Sequence, residues 1–185
     1  KNGVSEIQEK QMNTTLGNNV EVVSIVGNFD DCQRLVKNIY ESKEVSEHCK
    51  NVQLSSANSI NIGRLVPQIV YYFKAYADLL KTNEIKENEK VNFVVPTGNF
   101  GNILAGYLAK QLGCPIEKLV CASNSNNVLT DFINTGVYDR NREFYSTISP
   151  SMDILVSSNL ERLLFILSDY DDAKIKGYME DLKTK

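Results

Sequence analysis

The chain has 185 residues, of which 42% are apolar and 23% charged, and its net charge is −3 at pH 7. A polypeptide of this length suits one domain of ordinary size with a sizeable core. Its charge balance excludes the clustered Lys and Arg of a nucleic-acid binder, and no apolar run approaches the length of a membrane span.

The amino end, KNGVSEIQEKQ, is polar and has no signal-peptide core. It opens on the turn-like pair Asn2-Gly3, as if cut from something longer. Val20–Val26 is rich in β-branched residues and predicts a strand. Gly27–Asp31 is the turn that follows. Cys32, Leu35, Val36, Ile39 and Tyr40 then fall at helical spacing, with Asp30 or Asp31 placed to cap the start. Val52–Leu54 reads as a short strand and Ser55–Asn61, SSANSIN, as a polar loop. The longest helical signal follows: Ile62, Leu65, Val66, Ile69, Phe73, Tyr76 and Leu80 recur on one face. Pro67 must sit in its first turn or kink it.

Lys81–Lys90 is a charged connector. Val91–Val95 lacks alternation and predicts a strand buried on both faces. Ile103–Leu112 predicts a helix ended by Gly113. Gly106, with Ala105 and Ala109, lets that helix pack closely on a sheet. Lys118–Ala122 is a further strand, Ser123–Asn127 a polar turn, and Val128, Leu129, Phe132 and Ile133 a short helix ended by Gly136. Residues 137–158 are irregular. A last helical region runs from about Leu160 to Leu182, broken or restarted at Asp169–Asp172.

Strands alternating with helices predict an α/β fold, an open and mostly parallel sheet with flanking helices. Ligands in such sheets bind beyond the carboxyl ends of the strands. That rule selects three turns, Gly27–Asp31, Thr97–Asn102 and Ser123–Asn127. In the second, Gly98 and Gly101 supply positive φ and open space, and the next helix offers free N–H groups and the positive end of its dipole. Together these make an anion site. Thr97, Asn99 and Asn102 add neutral donors, and no acid lies between Val91 and Gln111. It is neither a Walker loop nor a dinucleotide GxGxxG turn. A plain βα turn is the alternative. The first turn shares the letters GNF, but Asp30 and Asp31 cap its helix and would repel a phosphate. Ser123–Asn127 is a cap-and-turn whose Asn124 and Asn127 can also meet a ligand at a neighbouring strand end. Arg64 suits a carboxylate or phosphate if it faces the site, and is otherwise a surface arginine.

Cys32, Cys49, Cys114 and Cys121 have no CxxC spacing, and His48 is the single histidine. Reduced thiols in a cytosolic protein are expected rather than a metal site. His48, beside Glu47, Cys49 and Lys50, reads as a solvated loop position. GxSxG is absent, which leaves no nucleophile elbow.

Several stretches resemble threonine synthase. They are NSINIGRLVPQIVYYF (Asn58–Phe73), VNFVVPTGNFGNILAGYLAKQLGCPI (Val91–Ile116), CASNSNNVLTDFINTGVYD (Cys121–Asp139) and SPSMDILVSSNLERLLF (Ser149–Phe165). GVSEIQEKQM (Gly3–Met12) and GNFDDCQ (Gly27–Gln33) fit the same family. The GNFG turn is shared by related pyridoxal-phosphate (PLP) enzymes, whereas SANSIN and SPSMD are more particular. The resemblance implies fold type II, the tryptophan-synthase-β-like fold, with PLP between two α/β domains. It implies conversion of O-phospho-L-homoserine and water to L-threonine and phosphate. Residues 1–56 would be the later part of the small mobile domain and 57–185 part of the large PLP-binding domain.

Carried over by residue, Gly98, Asn99, Phe100, Gly101 and Asn102 would cradle the PLP phosphate. Ser55–Asn61 and Ser149–Asp153 would line the cleft. Asn58, Asn61, Arg64, Asn124, Asn127 and Ser149 are the substrate or cleft candidates. No catalytic residue is assigned in the chain, because the family's Schiff-base lysine stands upstream in a Phe-Lys-Asp context absent here. The family's first substrate loop and its carboxy-terminal segment are absent too. A middle fragment is therefore expected, inactive alone, whose partners are the remaining portions of its own polypeptide. Apolar surface left uncovered would favour self-association. A standalone, non-catalytic anion-binding or assembly domain of the same fold is the competing reading. A dehydratase or cysteine synthase relative is disfavoured by SANSINIGRL and SPSMDI.

Overall fold

The computed structural model describes residues 6–27 and 29–184. Helices α1 (Glu6–Asn13), α2 (Phe29–Glu41) and α3 (Lys43–His48) precede α4 (Ile62–Leu65) and α5 (Ile69–Lys81). Strand β1 (Val91–Pro96), helix α6 (Gly101–Gln111) and strand β2 (Ile116–Ala122) form a parallel crossover unit. Helices α7 (Val128–Thr135), α8 (Leu160–Leu167) and α9 (Asp172–Thr184) complete the order. This is an α/β arrangement, and among the described residues the sheet has two strands.

Strands β1 and β2 run side by side from Val91↔Ile116 to Pro96↔Ala122, with one register shift between Val91 and Phe93. Thr97 N–H donates to Ala122 O at 2.8 Å and carries the ladder one residue past β1. β2 begins at Ile116, two residues before the expected Lys118, because Ile116 is already paired with Val91. Pro96 ends β1, where a missing N–H costs least. Helix α6 lies at the centre of the core. Ile103, Leu104, Ala105 and Ala109 are buried in one cluster with Leu65, Tyr72, Tyr76, Val128, Leu129 and Leu160.

Several expectations change. Val20–Val26 forms no strand, and Val23 and Val26 are exposed. Its β-branched residues favour a strand, but among the described residues no strand lies beside it to accept the ladder bonds. Val52–Leu54 is likewise unpaired coil. β1 is not buried on both faces: burial alternates, with Val95 at 5% exposure and Val94 at 67%. Val94 and its register partner Val120 share the uncovered face.

The long helix is interrupted where Pro67 stands. A 3-10 turn, Val66–Gln68, separates α4 from α5. The buried face of α5 carries Tyr72 and Tyr76, while Ile62, Val66 and Phe73 of the expected face are exposed. Gly106 packs on Tyr72 of α5 rather than on the sheet; a Cβ there would stand 2.6 Å from the Tyr72 ring. His48 closes the short helix α3 rather than sitting in a loop. The four cysteines are unpaired. α2 begins at Phe29, so Asp30 and Asp31, expected at its cap, stand inside its first turn, and the Asp31 carboxylate pairs with Arg34 at 2.5 Å. Asn28 and the Asp30 side chain lie outside the described residues. The opening Asn2-Gly3 pair also lies outside them. Among the described residues no helix is long and apolar enough to cross a membrane.

Candidate functional site

The carboxyl end of β1 leads through Thr97, Gly98, Asn99 and Phe100 into α6. Thr97 is buried and its hydroxyl donates to Val95 O at 2.7 Å, so it braces the turn rather than facing a ligand. The left-handed residue is Phe100, with φ +64°, and neither Gly98 nor Gly101 has positive φ. This corrects the expectation that the glycines supply that conformation. A left-handed L-residue costs about 1–2 kcal/mol. The Phe100 ring is buried against the core, and burying such a ring returns roughly 2 kcal/mol.

The glycines are required by space. A Cβ on Gly98 would stand 3.0 Å from Ile154 Cδ1 and 3.2 Å from the Met152 backbone. A Cβ on Gly101 would stand 3.0 Å from Ser59 Cβ and 3.4 Å from Asn159 Nδ2. The segments Ser55–Asn61 and Ser149–Asn159 therefore press directly on the turn.

Leu104 N–H, donating to Phe100 O at 3.1 Å, closes the first bond of α6. The N–H groups of Gly101, Asn102 and Ile103 come before it and are the orphan donors of a helix start. They carry the positive end of the dipole, with no acid between Val91 and Gln111 to neutralise it. This donor set fits a phosphate. Asn102 is held from behind: Tyr72 OH donates to its backbone and side-chain oxygens, both at 2.8 Å, and its Nδ2 donates to Gln68 Oε1 at 3.1 Å. Burial pushes the Tyr72 phenol up to about 12, so it stays a donor.

The carbonyls of the turn are also held. Ser157 Oγ donates to Gly98 O. Asn159 donates to Asn99 O twice, from N at 3.1 Å and Nδ2 at 3.0 Å. The Asn99 side chain accepts from Gln33 Nε2 at 3.3 Å, which brings α2 to the turn. Arg162 donates to Ser59 O, Ile60 O and Asn159 Oδ1, tying SSANSIN to the start of α8.

The remaining candidates divide. Asn58 Oδ1 accepts from Ile60 N at 3.1 Å and shapes its own loop. Asn61 caps α4, accepting from Gly63 N at 2.9 Å and donating to Ser56 O at 3.0 Å. Arg64 is exposed and donates through Nε to Ala57 O at 3.1 Å. Asn124 donates to Thr147 Oγ1 and to Asp153 Oδ1. The buried Asp153 carboxylate also accepts from Asn126 Nδ2 and twice from Thr147. Asn127 lies beside the Arg142–Asp131 ion pair, with its side chain bonded to both partners. Ser149 is exposed on a groove of about 580 Å³ shared with Gly98, Pro150 and Met152. Burial pushes the Cys121 thiol up while contacts with Thr97 and Ser123 pull it down; the net shift is upward, which disfavours the thiolate.

Sequence reasoning missed Ser157, Asn159, Arg162, Tyr72 and Gln33. Asn159 stands at the N-cap of α8, where an asparagine reads as a cap, yet its side chain makes no capping bond and reaches the glycine turn instead.

Two threonine synthases match this chain over nearly its whole length. The threonine synthase of Saccharomyces cerevisiae is 46% identical over 191 residues, covering 98% of this chain and 36% of the yeast protein. The solved PLP-bound threonine synthase of Brucella melitensis superposes with a TM-score of 0.79 at 46% identity, over 98% of this chain and 37% of that one. Along its length the chain is homologous to threonine synthase. The human threonine synthase-like 1 protein is 48% identical over 174 residues, 92% of this chain and 23% of its own length. The chain thus spans about a third of the length of the threonine synthases it matches. No protein-family model matches it.

Proposed function

We infer that the whole protein is a threonine synthase, converting O-phospho-L-homoserine and water to L-threonine and phosphate with PLP as cofactor. The observation that carries this reading is the glycine turn at the start of α6, set within a chain 46% identical to a PLP-bound threonine synthase across 98% of its length. In this reading residues 1–56 belong to the small mobile domain and 57–185 to the large PLP-binding domain. The lysine that carries the cofactor comes from the rest of the polypeptide.

PLP, when bound, supplies the electron sink of the reaction. This chain binds and orients. The N–H groups from Asn99 to Ile103 hold the cofactor phosphate, and Tyr72 with Gln68 fixes Asn102 among them. Ser55–Asn61 and Ser149–Asp153 wall the cleft. The exposed guanidinium of Arg64 is suited to the phosphate or carboxylate of the substrate.

The test is Gly101→Asp in the whole protein. The new Cβ would press on Ser59 at 3.0 Å, and the carboxylate would replace the anion at the helix start. Purified variant should carry no PLP by absorbance; a full complement of PLP would sink the assignment. A polypeptide of this sequence alone should release no phosphate from phosphohomoserine, and turnover would overturn the division of roles.

A further inference from the structure

The glycine turn presents donors on one side because its acceptors are held on the other. A trans peptide points its C=O and N–H in opposite directions, so fixing one aims the other. The Gly98 carbonyl accepts from the Ser157 hydroxyl, and the Asn99 carbonyl accepts from both nitrogens of Asn159. Across those two peptides stand the N–H groups of Asn99 and Phe100. Both carbonyls are drawn toward the start of α8, and both N–H groups are turned away from it.

Asn159 is built into this position. It is 0% exposed, and Nδ2 also donates to Ser59 Oγ at 3.0 Å while Oδ1 accepts from Arg162. Its amide is thereby fixed in one orientation, with Nδ2 toward the turn. It occupies the N-cap of α8 without capping that helix. Ser157 is buried beside it, and its hydroxyl reaches across 59 residues of sequence to the turn.

The geometry points to Ser157 and Asn159 as positioning residues for phosphate binding. They hold the carbonyl dipoles of Gly98 and Asn99 behind the turn and so aim the Asn99 and Phe100 N–H groups at the anion, beside the free donors of α6. They do not touch the anion themselves. This rests on the phosphate-cradle reading above.

The test uses the whole protein stripped of cofactor, and two ligands, PLP and pyridoxal, which differ by the phosphate alone. Asn159→Asp keeps the side-chain shape and replaces the donating nitrogen with an acceptor. The ratio of the pyridoxal and PLP dissociation constants reads the cradle separately from the ring site. Asn159→Asp should lower that ratio about tenfold, the factor one hydrogen bond near the top of its range is worth, with pyridoxal affinity unchanged. Ser157→Ala should lower it by a smaller factor, and it decides the matter if Asn159→Asp does not fold. A ratio equal to that of the unaltered protein in the folded variants, or equal weakening of both ligands, overturns the proposal. If the unaltered protein binds PLP no more tightly than pyridoxal, the cradle reading itself fails, and the proposal with it.

Discussion

Gly106→Ala probes how α6 is seated. The added methyl would lie 2.6 Å from Tyr72 Cζ, 2.7 Å from Cε1 and 2.9 Å from the phenol oxygen. Carbon atoms in contact normally stand about 3.5–4.0 Å apart. Tyr72 has little room to retreat, since its ring packs edge-on against Phe93 at 4.8 Å and its hydroxyl is tied to Asn102. Overpacking of this kind costs about 1–3 kcal/mol. Moving the hydroxyl off Asn102 adds about 1 kcal/mol. The better helix propensity of alanine offsets about 1 kcal/mol. The net loss is about 1–3 kcal/mol. The unfolding midpoint in urea should fall by that loss divided by the m-value of the whole protein, which rises with protein size. The assay is urea unfolding of the whole protein followed by circular dichroism. A midpoint at or above that of the unaltered protein refutes the reasoning. So does a Gly106→Ala cost that stays the same once Tyr72→Leu has removed the ring.

Two further outcomes follow from the same packing. The Tyr72 phenol is raised by burial to about 12 from an ordinary value near 10. Its contribution is therefore full below pH 10 and is lost as the pH rises through 12. Tyr72→Phe should flatten that alkaline loss in denaturation curves, and an unchanged pH profile would count against it. Arg162→Met removes the donors to Ser59 O and Ile60 O and should cost roughly 3 kcal/mol. Thermal unfolding within a degree of the unaltered protein would show that the tie between SSANSIN and α8 is idle.

The glycine turn was legible because its chemistry is local. An apolar strand, two glycines and a helix start lie within a dozen residues, and no acid intervenes. The α6 helix and its end at Gly113 were legible for the same reason. The conformational detail was not. Phe100, rather than a glycine, takes the left-handed backbone because its ring is buried in the core, and spacing carries no sign of that. The supporting residues were hidden by sequence distance. Asn159 lies 60 residues from Asn99, and Arg162 lies 103 from Ser59. Asn159 stands where an ordinary cap would stand, so local rules assign it a sufficient role and stop. Val20–Val26 shows the reverse limit: a strong local strand preference has no expression without a neighbouring strand.

The most direct measurement is a crystal structure of the whole protein with PLP. The phosphate oxygens should lie within about 3 Å of the backbone N–H groups between Asn99 and Ile103. The carbonyls of Gly98 and Asn99 should remain on Ser157 and Asn159. A phosphate bound elsewhere, with the start of α6 left to water, would contradict the account.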